Sequence, residues 1–112
     1  MNRQEINGLE KVESPALLVD PGLIAKNIDR MVELVGGDAD RLQPHVKTHK
    51  MPDVIRLQKK AGIKKCKAAT MSEVEMAAAA GASEVLLAYQ PVGPAIARFG
   101  NAISMYPPRG QI

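Results

Sequence analysis

Three apolar-leaning runs begin near residues 42, 63 and 84, a repeat of 21 residues, and segments with helical periodicity lie between them. A strand, a helix and a second strand in that length leave room only for a crossover that brings the chain back parallel to itself, and such crossovers are right-handed. The repeat therefore predicts a parallel α/β sheet with the carboxyl ends of its strands on one side. Ligands and reactive groups gather on that side in such folds. Lys47, Thr70 and Gln90 are expected to arrive there.

The chain in order supplies the elements. Residues 1–13 are polar and patternless and read as a loose arm, whereas residues 16–19 (ALLV) read as a short strand. Asp20 before Pro21 predicts a helix start, because the carboxylate accepts from orphan amides and proline suits the first helical position. Ile24, Ile28, Met31 and Val35 form one apolar stripe, which Gly36 and Gly37 end. After a strand over residues 42–47, Pro52 opens a second helix with Val54, Leu57 and Ala61 inward, and Gly62 stops it. Residues 63–69 form the next strand. Thr70 and Glu73 make a T-x-x-E capping box before an alanine-rich helix that ends at Gly81. The continuous apolar run 85–89 predicts a strand covered on both faces. A last helix after Gly93 and Pro94 turns Ile96, Phe99 and Ile103 inward. Pro107 and Pro108 stop it, and no strand is expected beyond them.

The chemistry concentrates in residues 42–50 (LQPHVKTHK). In extended geometry Gln43, His45 and Lys47 share one face while Leu42 and Val46 face the core. An amine becomes nucleophilic near neutral pH when burial or neighbouring positive charge lowers its pKa, and Lys50 or a protonated His45 or His49 could supply that charge. The same spacing also fits solvated lysines around a satisfied core histidine. On an extended chain His45 and His49 stand ~13 Å apart, too far to share a metal ion. Pro44 lacks a ladder donor and belongs at a sheet edge or strand start.

Length bounds the rest. One domain at most fits in 112 residues, and the three aromatic residues, Tyr89, Phe99 and Tyr106, imply an aliphatic core. A net charge of +3 with no aromatic residues among the lysines gives no stacking platform for nucleic acid. The cluster Lys59, Lys60, Lys64, Lys65 and Lys67 reads as a helix end and solvated turn. The single cysteine, Cys66, excludes an internal disulfide and is expected as a buried, inert thiol. No run approaches the ~20 apolar residues of a membrane span, and the first residues lack a signal-peptide core. Together these predict a cytoplasmic protein.

Four motifs sharpen this reading: SPALLVD (residues 14–20), QPHVKTHK (43–50), AATMSE (68–73) and LLAYQPVGP (86–94). In this order they resemble the amino-terminal part of the D-threonine aldolase and D-serine dehydratase family, fold-type III pyridoxal-phosphate enzymes related to alanine racemase. The resemblance implies that Lys47 carries the cofactor as an internal aldimine, with His45 and His49 as candidates for orienting it or shuttling a proton. Thr70 and Gln90 become candidate cofactor contacts. Members often carry arginine where this chain has Gln43. The resemblance also implies a (βα) TIM-type barrel, preceded by a strand (residues 16–19) that belongs to a second, carboxyl-terminal β domain. Such a barrel takes ~250 residues, so residues 14–112 are expected to be a fragment of about three parallel βα units. The substrate it implies is a D-β-hydroxy amino acid. A divalent metal, zinc or manganese, would be held by ligands outside this chain, and a homodimer stays open for the longer protein. Two alternatives stand beside the enzyme: a non-catalytic pyridoxal-phosphate carrier and an inactive truncated half-barrel.

Overall fold

The computed structural model describes residues 6–106 and 109–111. Helix α1 (Pro21–Leu34) starts where the carboxylate of Asp20 accepts from the N–H groups of Gly22 at 2.9 Å and Leu23 at 3.2 Å. Helices α2 (Pro52–Lys60) and α4 (Pro94–Met105) open on proline, and α3 (Met71–Ala79) opens on Thr70. The ends of α1, α2 and α3 repeat one device. The N–H of Gly36, Gly62 or Gly81 bonds to the carbonyl three residues back, and the next N–H reaches five residues back. These glycines sit at φ of 74°, 94° and 93°, a region that side chains resist, so the stops are local chemistry.

Strands β1 (Lys65–Ala68), β2 (Glu84–Leu87) and β3 (Arg109–Gln111) form one parallel sheet in that order. Register pairs Lys65 with Glu84 and Ala68 with Leu87. The mixed α/β class and the parallel direction agree with the repeat, but four details differ. Residues 42–47 do not form a strand. They contribute a single parallel bridge, His45 to Lys67, in which Lys67 N–H donates to Pro44 O and Val46 N–H to Lys67 O, each at 2.9 Å. Pro44 lies on the outer side of β1, where its missing N–H breaks no ladder. Residues 16–19 run extended without a ladder partner among the described residues, and Leu17 and Leu18 stay exposed. A strand exists only when a neighbour takes its amide groups, which no local pattern supplies. Conversely, β3 follows the two prolines where no strand was expected, although residues 107 and 108 themselves lie outside the described set. Within the expected arm, Leu9–Lys11 close a 3-10 turn; residues 1–5 are also outside that set.

The core lies on one side of the sheet. Cys66 and Ala68 of β1 and Val85 and Leu87 of β2 are buried beneath the helices, packed with Val46, Ile55, Val74 and Phe99. The alternate residues Lys65, Lys67, Glu84 and Leu86 are half-buried on the other face. The continuous apolar run therefore does not report two covered faces among the described residues, and Lys65 and Lys67 lie, as expected, in the strand within residues 63–69, on its open face and not in the solvated turn read from the lysine cluster. Small side chains at Ala77 and Ala78 bring α3 close to the sheet. Arg98 of α4 grips Glu75 of α3 through two hydrogen bonds of 2.6 and 2.8 Å, which holds the Glu75 carboxyl below its ordinary value. Ile96, expected inward, is 61% exposed, whereas Phe99 is buried.

Cys66 matches its expected role: only 1% exposed, its thiol is pushed by burial up to about 11. It is expected to react with a chromogenic disulfide at least about tenfold more slowly in the native protein than in the unfolded chain, because the thiolate is the nucleophile. Equal rates with and without denaturant would contradict this burial.

Candidate functional site

The carboxyl ends of parallel strands necessarily share one edge of the sheet, and the chain turns sharply there after the His45 bridge. Lys50 N–H and His49 N–H both donate to Val46 O, at 2.9 and 3.3 Å, closing a single turn over residues 46–50. This coil replaces the extended geometry expected between His45 and His49, so the ~13 Å separation of an extended chain does not apply to them. Val46 is fully buried and pins the turn to the core, while Lys47 and Thr48 are exposed. The division into a core side and a chemical side survives, though a turn rather than a strand produces it.

Lys47 makes no ion pair among the described residues. Its backbone N–H donates to His45 Nδ1 at 3.2 Å. His49 Nδ1 accepts from Met51 N–H at 2.9 Å, which assigns the ring proton to Nε2. That Nε2 is buried and has no hydrogen-bond partner. Both imidazoles are held below the ordinary histidine value, in each case chiefly by burial. For His45 the charges of Lys47 and Lys67 push the same way and Glu73 opposes them. Neutral rings at neutral pH are acceptors or bases. They do not supply the positive charge that the sequence argument offered to Lys47.

Thr70 and Gln90 follow β1 and β2 to the same edge. The Thr70 hydroxyl accepts from Glu73 N–H at 3.2 Å and serves as the cap of α3. Gln90 is exposed and makes no side-chain hydrogen bond among the described residues. Gln43 lies further back, its amide donating to Cys66 O at 3.4 Å. No group of three metal-ligating side chains gathers among the described residues.

Glu73 is the residue whose position the sequence only half disclosed. Its side chain, 4% exposed, accepts from Ala69 N–H at 2.6 Å through Oε2, and Oε1 lies 3.8 Å from Lys50 Nζ. The capping-box pattern revealed the link to Thr70. It carried no sign of a buried carboxylate reaching the lysine turn, because that contact spans 23 residues of sequence.

The chain is 35% identical over 77 residues to D-threo-3-hydroxyaspartate dehydratase of Delftia sp. (strain HT23), a likeness covering 69% of this chain and 20% of that enzyme. The chain thus spans about a fifth of the length of that relative. No protein-family model matches the chain, and no solved structure does. The likeness gives family-level support to the resemblance carried by the four motifs.

Proposed function

We propose that this chain is the amino-terminal part of a pyridoxal-phosphate-dependent lyase that acts on a D-β-hydroxy amino acid, with Lys47 as the point of covalent attachment. The observation that carries the reading is an exposed amine without an ion-pair partner among the described residues, set on a turn at the carboxyl edge of a parallel sheet directly after the last ladder bond. The relative is a dehydratase by name, which favours β-elimination of water over carbon–carbon cleavage and a 3-hydroxy amino acid as substrate. The architecture that fits is a portion of a parallel (βα) barrel.

When bound, the cofactor supplies the electron sink for charge developing at the substrate α-carbon. With the cofactor bound, Lys47 would hold it and, once free, take the substrate's α-proton, and that proton, passed on to the β-hydroxyl, would let the hydroxyl leave as water. His45, neutral and bonded to the Lys47 backbone, steadies the turn. His49, with Nδ1 occupied by Met51 N–H, is a candidate proton donor through its buried Nε2–H, which has no partner among the described residues. Thr70 and Gln90 stand at the same edge as candidate contacts for the cofactor; the Thr70 oxygen accepts in its cap, which leaves its O–H to donate.

The test is borohydride reduction in the presence of pyridoxal 5′-phosphate, followed by peptide mapping. Label concentrated at Lys47 is expected. Label spread evenly over the lysines would reject the assignment. Attachment at Lys47 without turnover of any D-3-hydroxy amino acid would favour a carrier. A second reading, a partner-completed and otherwise inert half-barrel, is supported by the uncovered sheet face and the exposed segment around Leu17 and Leu18. Open edges and faces invite association, so a well-behaved monomer by size exclusion would argue against it.

A further inference from the structure

Two lysines three residues apart, Lys47 and Lys50, sit on the same turn, and an aldehyde must choose between them. We propose that Glu73 makes this choice, as a positioning residue that engages the Lys50 amine and leaves the Lys47 amine free to react. The inference rests on the reading of Lys47 as the attachment point and adds what keeps its neighbour out of the reaction.

The contact is lopsided in a useful way. The Glu73 side chain is 4% exposed and that of Lys50 is 65% exposed. A carboxylate withdrawn from water requires partners, and leaving it unpaired is costly. Glu73 has one neutral donor, Ala69 N–H at 2.6 Å, and one cation within reach, Lys50 Nζ at 3.8 Å. Its backbone is fixed as well, since its own N–H bonds to Thr70 at the head of α3. The carboxylate cannot move away, so the ammonium comes to it.

Lys50 shows the matching constraint. It is the residue of the chain other than glycine found at positive φ, 51°, among the described residues. Side chains resist that conformation unless surrounding contacts fix it. Here Lys50 N–H closes the turn on Val46 O while its side chain runs to Glu73. Lys50 thus closes the turn through its backbone and ties it to α3 through its side chain, and the turn so fixed is the one that presents Lys47.

The chemistry requires a free amine. To join an aldehyde, the nitrogen must attack with an unshared electron pair. A C=N bond then forms, and the carbonyl oxygen departs as water with both amine hydrogens. A Lys50 nitrogen drawn against the Glu73 carboxylate, 3.8 Å from Oε1, is not presented to an incoming carbonyl. Lys47 carries no such restraint among the described residues.

The experiment uses pyridoxal 5′-phosphate and borohydride on the full chain, reading the ratio of label at Lys47 to label at Lys50 by peptide mapping. A ratio of about ten or more is expected for the unaltered protein. In Glu73→Gln, which keeps an acceptor for Ala69 N–H and removes the charge, the ratio should fall at least about threefold, and in Glu73→Asp it should largely recover. Raising salt on the unaltered protein gives a second measurement that needs no variant to fold. Screening at about 1 M ionic strength contracts the Debye length to ~3 Å, and the ratio should fall there too. A ratio near one in the unaltered protein, or one that neither Glu73→Gln nor salt changes, overturns the proposal. Failure of the underlying reading looks different: Lys47 would then gain no more label than the lysines of α2.

Discussion

Lys47→Arg is expected to abolish borohydride-trapped label at position 47 and the absorbance that accompanies attachment, while leaving the thermal melt within about 2 °C of the parent. The loss should be complete rather than graded, because a guanidinium stays charged at any working pH and cannot condense with an aldehyde. The unchanged melt follows from the surroundings. The Lys47 side chain is exposed and makes no ion pair among the described residues, and the residue's backbone N–H bond to His45 Nδ1 is one that arginine retains. Substitution at an exposed position of this kind costs at most about 0.5 kcal/mol. Absorbance spectra, peptide maps and a melting curve on the same preparation check it. Undiminished label in the variant would show that another amine carries the cofactor.

The largest effect on stability is expected from Leu87→Ala, a loss of about 2–5 kcal/mol. Leu87 is 1% exposed, lies on the central strand β2 and belongs to the buried core cluster, so its removal leaves a cavity inside close-packed surroundings. The neighbouring Leu86→Ala should cost under about 1 kcal/mol, since Leu86 points to the open face. Urea titrations of the two variants measure the difference. Equal losses would mean that a second layer covers that face, as in a closed barrel. The contrast therefore tests which surface of the sheet is core.

The readable parts of the fold were those with short-range causes. The start of α1 at Asp20, the cap of α3 at Thr70 and the glycine stops of the first three helices all rest on hydrogen bonds within five residues, and each lies where the residues predict it. The parallel sheet followed from spacing alone. The misread elements depend on partners distant in sequence. Residues 16–19 and β3 exchanged roles: the apolar segment has no ladder partner among the described residues, and the unpromising Arg-Gly-Gln pairs with β2. Local composition cannot report which strand edge will be within reach. Ile96 satisfied the helical stripe and still faces solvent, because a stripe gives relative phase along a helix and not the angle at which the helix meets its neighbours.

The same division holds at the candidate site. Lys47 and its two histidines stood out in sequence because three chemically able side chains crowd into five residues. Their disposition did not, because Val46 anchors a turn there in place of a continuing strand. Nor could the pattern disclose that both imidazoles stay neutral or that Glu73 lies against Lys50, since burial and a pairing across 23 residues exist only once α3 has docked on the sheet. Sequence alone determined the helix boundaries, the parallel direction and the cluster of lysines and histidines over residues 45–50, all set by bonds and spacings along the chain. The tertiary structure decided which face of the sheet is core, where the chain turns and which lysine is tethered, because desolvation and long-range pairing belong to the packed molecule.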